Sequence, residues 1–204
     1  MDQHLNQLEH VTWALAHGPA VASSDFDLNP GASWGSSPTS LRAAAVLVPL
    51  IQRRDGLSVI LTKRASHLKH HPGQIAFPGG KVEKSDPDTA SAALREAQEE
   101  IGLDPANVEI LGTLPFHHTV THFQVTPVVG RLYQPFTPVP EVGEVAEVFE
   151  VPLAYLANPN NFIVESRFWG GQRRYYYTIP YGPYYIWGAT ARMLRGLAER
   201  LATS

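Results

Sequence analysis

Glu96, Glu99 and Glu100 stand at positions i, i+3 and i+4 of the stretch Arg95-Glu96-Ala97-Gln98-Glu99-Glu100-Ile101-Gly102-Leu103. On a helix turning about 100° per residue they lie within an arc of roughly 100°, so their carboxylates can converge. The helix alone gains nothing from this. Like charges at i,i+4 cost about 0.2–0.5 kcal/mol, and anions in a last turn meet the negative end of the helix dipole. Arg95 offsets one charge of the three. A hard divalent cation, Mg2+ or Mn2+, would turn the repulsion into coordination by carboxylate oxygen. The alternative for the same residues is a solvated acidic face, the usual fate of a charge run.

Upstream, Lys63, Arg64 and Lys69 alternate with His67, His70 and His71, and a short apolar stretch then leads into Gly79-Gly80. A positive cluster across a glycine turn from an acidic helix is what a diphosphate requires, since phosphate oxygens need Lys or Arg donors and a metal neutralises the remaining charge. Adjacent His70 and His71 cannot easily share one ion, so the three histidines read as surface or phosphate-facing groups. His117, His118 and His122 lack a zinc-ligand spacing with a fourth partner.

Gly80 together with residues 95–103 resembles the signature of the Nudix hydrolases: Gly, five residues, Glu, seven residues, then Arg-Glu-apolar-x-Glu-Glu-x-Gly-apolar. The second half matches residue for residue. In the first half Asp86 replaces Glu and stands eight residues before Arg95. Residues 60–80 are similar to a second signature, that of the coenzyme A pyrophosphatase branch, with Thr62, Arg64, Ala65, Gly73, Phe77, Pro78, Gly79 and Gly80 in register and Lys69 in place of an Arg. Thr119 to Gly130 and the C-terminal Tyr185-Ile186-Trp187-Gly188 also resemble that branch.

The resemblance implies a metal-dependent diphosphate hydrolase acting on coenzyme A or a derivative, with 4′-phosphopantetheine and 3′,5′-adenosine bisphosphate as products. It implies Glu96, Glu100, Glu99 and the Gly79 carbonyl as metal ligands, with Glu99 or Glu96 serving in catalysis and Arg95 orienting a carboxylate. A glutamate from a distant loop completes the site in several family members; Glu144 is the candidate and Glu147 the alternative. Arg64, Lys63, Lys69, Gly73 and Phe77 are the expected substrate-binding residues. Two other readings stay open: hydrolysis of another nucleoside diphosphate derivative, such as ADP-ribose or an NADH-type dinucleotide, and a non-catalytic nucleotide-binding module. Modules of that kind usually lose box carboxylates, and all three are present here.

The elements that must position these residues follow from periodicity. Leu5, Leu8, Val11 and Leu15 mark an N-terminal helix, and residues 19 to 40 a Ser/Gly/Pro-rich loop. Ala43 to Ile51 and Leu57 to Thr62 form a hairpin about an Asp55-Gly56 turn. Asp86 or Asp88 caps the acidic helix, with Pro87 in its first turn; Ala90, Ala93, Leu94, Ala97 and Ile101 form its buried face, and Gly102 ends it. Val108 to Leu114, His122 to Val129 and the run after Glu144 read as further strands. Gly170-Gly171 marks a second hairpin, in which Arg173, Arg174 and Tyr175 to Tyr177 read as strand residues. Tyr185 to Gly188 opens a last helix with Ala191, Leu194, Leu197 and Leu201 inward.

At 204 residues with 44% hydrophobic and 17% charged residues, the chain reads as globular, an extension at 1–40 preceding a domain at 41–204. The net charge of −3 gives no reason to expect nucleic acid, and no apolar run is long enough to span a membrane. The absence of cysteine excludes disulfides and thiolate chemistry. A cytoplasmic protein with a small-molecule substrate, with room for a homodimer, is the simplest expectation. The resemblance implies a Nudix fold, an α/β/α sandwich around a mixed curved sheet with additional terminal helices.

Overall fold

The computed structural model describes residues 3–31 and 41–203, with side chains from residue 7 on. Leu5, expected on the buried side of the first helix, has its side chain outside that set, and residues 32–40 of the expected loop lie outside it altogether. In chain order the elements are α1 (Gln3–His17), β1 (Ser23–Ser24), β2 (Arg42–Arg53), β3 (Gly56–Arg64), β4 (Ile75–Ala76), β5 (Gly79–Lys81), α2 (Thr89–Ile101), β6 (Val108–Thr113), β7 (His117–His118) and β8 (Phe123–Leu132). They continue with β9 (Val145–Pro152), α3 (Leu153–Ala157), β10 (Ile163–Trp169), β11 (Gln172–Tyr181), β12 (Tyr184–Trp187) and α4 (Gly188–Ala202).

Nine strands form one mixed sheet in which β2 lies between β8, to which it is parallel, and β3, to which it is antiparallel. Alternation along β2 serves two cores. Ala44, Val48 and Leu50 pack with Val11 and Ala14 of α1, Leu153 and Leu156 of α3, and Leu194 and Leu197 of α4. Ala45, Leu47 and Ile51 pack on the opposite face with Ala92, Ala93, Ala97 and Ile101 of α2. The result is the α/β/α sandwich, with bulges after Lys63 and Ile110 that bend the sheet. Among the described residues, no helix is long and apolar enough to cross a membrane.

The first hairpin turns on Arg54-Asp55, since Arg53 pairs with Gly56; the turn sits one residue earlier than expected. The second turns on Gly170-Gly171, both at positive φ (56° and 79°), as a two-residue turn matching strand twist requires. Residues 184–187 form β12 against β11, so α4 begins only at Gly188 and the aromatic run is strand, not helix start. β-branched and aromatic residues favour that pairing.

The N-terminal segment is tied to the sandwich. Arg200 Nη1 donates to the carbonyls of Ala14 (2.9 Å) and Leu15 (3.0 Å). β1 pairs with β7, where fully buried His117 bonds Ser23 Oγ through Nδ1 (2.9 Å) and Asp25 Oδ1 through Nε2 (3.0 Å). Both ring nitrogens are engaged in that clamp.

Candidate active site

β3 pairs with β2 only over Gly56–Val59, opposite Leu50–Arg53; β9 lines its other edge from Ser58 to Arg64, and β4 replaces β2 at Thr62 and Lys63. β5 takes the vacated edge, Gly79 opposite Val46 and Gly80 opposite Ala45. This exchange of neighbours opens a cleft of about 800 Å³. The glycine pair is needed because the backbone is crowded on both sides. A Cβ on Gly79 would lie 2.5 Å from the Ala45 carbonyl oxygen, and one on Gly80 would lie 2.5 Å from the Glu96 carboxylate.

α2 is fixed against this strand at both ends and along its length. Asp88, not Asp86, is the N-cap and accepts from Ser91 N (2.7 Å), so Pro87 precedes the helix instead of entering its first turn. Gly102 closes it at φ 70°. Ala92, Ala93 and Ala97 are fully buried, whereas Ala90 and Leu94 sit at the margin. Small residues on that face let the helix approach β2 closely, which brings Glu96 over Gly80.

Asp86 holds Arg95. Its two carboxylate oxygens accept from Nε and Nη2, each at 3.0 Å, and Nη2 also reaches the Lys81 carbonyl (3.1 Å). From that anchor Arg95 Nη1 contacts Glu96 Oε1 (3.0 Å) and Glu99 Oε2 (3.2 Å). The pairing lowers the Asp86 pKa and raises that of Arg95.

The three glutamates diverge. Glu99 keeps 60% of its side-chain exposure, pairs with Arg95, and does not line the cleft. Glu96 and Glu100 do line it. Helix geometry gives the reason: relative to Glu96, Glu99 lies about 60° to one side and Glu100 about 40° to the other. Glu100 is 5% exposed, accepts from Gly79 N (3.2 Å), and has Arg64 Nη1 4.0 Å from its Oε1. Burial is the main cause that pushes its pKa up to about 7; the Gly79 N–H and Arg64 pull it down, and the Glu144 and Glu96 charges push further up. Burial also raises Glu96, against the pull of Arg95.

Arg64 lines the same cleft, and its buried Nε has no hydrogen-bond partner. Its backbone is held from both sides, Arg64 N donating to Gln74 O (2.9 Å) and Gly73 N to Arg64 O (3.2 Å). Glu144 lines the cleft too, its carbonyl accepting from Ala65 N (2.8 Å). Glu147 instead accepts from the Tyr184 hydroxyl. Among the described residues, no three His, Cys, Asp or Glu side chains are grouped closely enough to make up a metal site by themselves. Two desolvated carboxylates with a third nearby are nonetheless the oxygen donors that a hard divalent ion takes, and Mg2+ usually keeps several waters beside one or two carboxylates.

The other expected substrate residues lie elsewhere. Lys63, Lys69, Gly73 and Phe77 do not line the cleft. Phe77 is 4% exposed in the core, and Gly73 acts on Arg64 through its backbone. His70 and His71 line the cleft; His67 does not. The structure adds Lys81, Arg42 and Phe123, the Arg42 guanidinium lying 3.9 Å over the Phe123 ring. Their pairing across β2 and β8 joins residues about eighty positions apart, which no local pattern signals.

The NUDIX domain model matches residues 41–167, more than half of the chain. The chain belongs to the Nudix family. The uncharacterized Nudix hydrolase NudL of Enterobacter sp. (strain 638) is 45% identical over 163 residues, 78% of this chain and 83% of the relative. The protein of the same name from Salmonella newport (strain SL254) is 43% identical over 160 residues, with the same coverage. Among solved structures, the NUDIX domain of Shewanella oneidensis NrtR in complex with ADP ribose has a TM-score of 0.51 at 17% identity, covering 84% of this chain and 94% of that one. That likeness is one of fold. In this Nudix domain the signature residues are therefore α2 and the strand that it packs on.

Proposed function

We propose that this Nudix hydrolase cleaves the diphosphate bond of coenzyme A or one of its derivatives, giving 4′-phosphopantetheine and 3′,5′-adenosine bisphosphate. The observation that carries the hydrolytic reading is the under-paired cleft: Glu100 and Glu96 desolvated on one side, and Arg64 on the other with a buried donor left free. An anionic diphosphate and a cation together complete both sets of groups.

Glu96, Glu100 and the Gly79 carbonyl would hold Mg2+ or Mn2+, which when bound neutralises phosphate charge and acidifies a water. Arg64 then donates to a phosphoryl oxygen through Nε. Glu144, which precedes β9 and lines the cleft with Arg64, would accept the proton of the attacking water. Glu99, at the exposed rim and outside the cleft lining, supports the Arg95 guanidinium and does not hold the cation. Arg95, anchored on Asp86, fixes the Glu96 carboxylate.

The second signature, in which Thr62, Arg64, Gly73 and Phe77 fall in register, supports coenzyme A. So does the basic lining from Arg42, Lys81, His70 and His71, which suits a substrate with a further phosphate besides the diphosphate. The stacked Arg42–Phe123 pair offers a flat cationic surface to a purine. The test is a panel of coenzyme A, ADP-ribose, NADH and nucleoside triphosphates incubated with Mg2+ or Mn2+ and resolved by chromatography. Coenzyme A is expected to give the two named products. Turnover of ADP-ribose but not coenzyme A would transfer the assignment to that substrate, and binding without turnover would make the chain a sensor module.

A further inference from the structure

The three-stranded sheet β10–β12 contributes nothing to the cleft, yet all seven residues of β10 are exposed. Ile163, Val164, Phe168 and Trp169 keep 47%, 50%, 69% and 59% of their surface. Strand alternation sets Ile163 and Trp169 on one face and Val164 and Phe168 on the other, so both faces of this strand carry exposed apolar side chains.

The two edges of the sheet are treated differently. On one edge β12 covers Thr178 to Tyr181. Beyond it the Asn29 side chain acts as a stand-in strand, Nδ2 donating to Tyr175 O (2.9 Å) and Oδ1 accepting from Tyr175 N (2.8 Å). The other edge is β10, which pairs with β11 and, among the described residues, with no further strand. A bare edge carrying apolar side chains is a template for another strand.

The β10 sequence identifies the strand that fits. It reads Ile163-Val164-Glu165-Ser166-Arg167-Phe168-Trp169, two apolar residues, an acid, a serine, a base and two apolar residues. Laid antiparallel on itself about Ser166, it places Glu165 opposite Arg167, Val164 opposite Phe168 and Ile163 opposite Trp169, each pair occurring twice. Opposite charges and aromatic–aliphatic pairs are what stabilise facing strand positions. Reversing the direction of either strand would set Glu165 against Glu165 and Arg167 against Arg167. Tyr185, whose hydroxyl donates to Glu165 Oε2 (2.7 Å), holds that carboxylate in place on its face of the sheet.

We infer that β10 pairs antiparallel with β10 of a second copy of this chain, on a two-fold axis through Ser166, joining the two three-stranded sheets into one. The interface is isologous, so every contact is made twice and the assembly closes at two copies.

The chain has no cysteine, so Ser166→Cys provides a single thiol. Directly opposite residues on antiparallel strands have Cα atoms about 4.5–5.5 Å apart, within the roughly 4.4–6.8 Å that a disulfide spans. Under mild oxidation this variant is expected to crosslink to a covalent dimer at least ~tenfold faster than Gln134→Cys, an exposed position on the β8–β9 connection. By analytical ultracentrifugation the unmodified protein is expected to be a dimer, Arg167→Glu to dissociate it, and Glu165→Arg with Arg167→Glu to restore it, with melting temperatures close to that of the parent. A parent chain that sediments as a monomer, or a dimer that ignores the charge reversal and does not crosslink through residue 166, would overturn the inference. None of these measurements depends on the substrate.

Discussion

α2 carries two charged clusters that start from the same residue types and end differently. On one flank Asp86, Arg95 and Glu99 satisfy one another, and Glu96, which also lines the cleft, is shared between this set and the other: the guanidinium makes four side-chain bonds and one backbone bond, all between 3.0 and 3.2 Å. On the other flank Glu100 is buried, its nearest cation stands at 4.0 Å, and Arg64 Nε has no partner. A folded chain completes its polar networks where they serve structure, and an incomplete one facing a cleft is a binding site awaiting its ligand. The saturated flank positions; the unsaturated flank binds.

The sharpest way to break that division is to neutralise each flank in turn. Glu100→Gln removes a charge from the unsaturated side and should lower turnover by about 10²–10³-fold while the metal-free protein stays folded. Arg95→Ala, on the saturated side, should cost about 10–100-fold in turnover through loss of carboxylate positioning, together with a lower melting temperature from the orphaned Asp86. Arg95→Lys should not restore it, since an ammonium lacks the two-pronged fork that Asp86 grips. If the two substitutions had the reverse ranking, the division would fail.

The pH dependence separates the flanks without turnover. Glu100 has its folded pKa raised from 4.5 to about 7, so the folded metal-free protein holds a proton that the unfolded chain has released. Stability contributed by that proton is present at acid pH and lost as pH rises from about 4.5 to about 7, a change on the order of 2 kcal/mol. Melting temperature of the metal-free protein should therefore fall across that window, and Glu100→Gln should flatten the slope. Glu99→Gln has the smallest expected effect, under about fivefold in turnover, because an exposed ion pair contributes little. A loss matching that of Glu100→Gln would place Glu99 on the binding flank.

The sequence exposed the helix, its apolar stripe, the left-handed Gly102 and the glycine pair, because each is a local rule acting over a few residues. Glu96 and Glu100 were legible for the same reason. The departure at Asp86 was visible, but its use was not: its grip on Arg95 depends on the path of the turn before α2. Phe77 carries a signature position and yet packs in the core, since spacing along the chain does not tell which way a side chain points. Arg42 and Phe123 meet through a parallel strand pairing whose register no short stretch contains. Tyr185 to Trp187, read as a helix opening, became a strand because β11 lay ready to pair with it.

The most direct measurement is Mn2+ binding, followed by electron paramagnetic resonance or calorimetry, on the parent protein and on Glu96→Gln, Glu100→Gln and Glu147→Gln. The expected result is a loss of affinity of about tenfold or more for the first two variants and none for Glu147→Gln, whose carboxylate is bonded to Tyr184 away from the cleft. Equal Mn2+ affinity in the parent, Glu96→Gln and Glu100→Gln would contradict the assignment of the cleft carboxylates to a divalent ion.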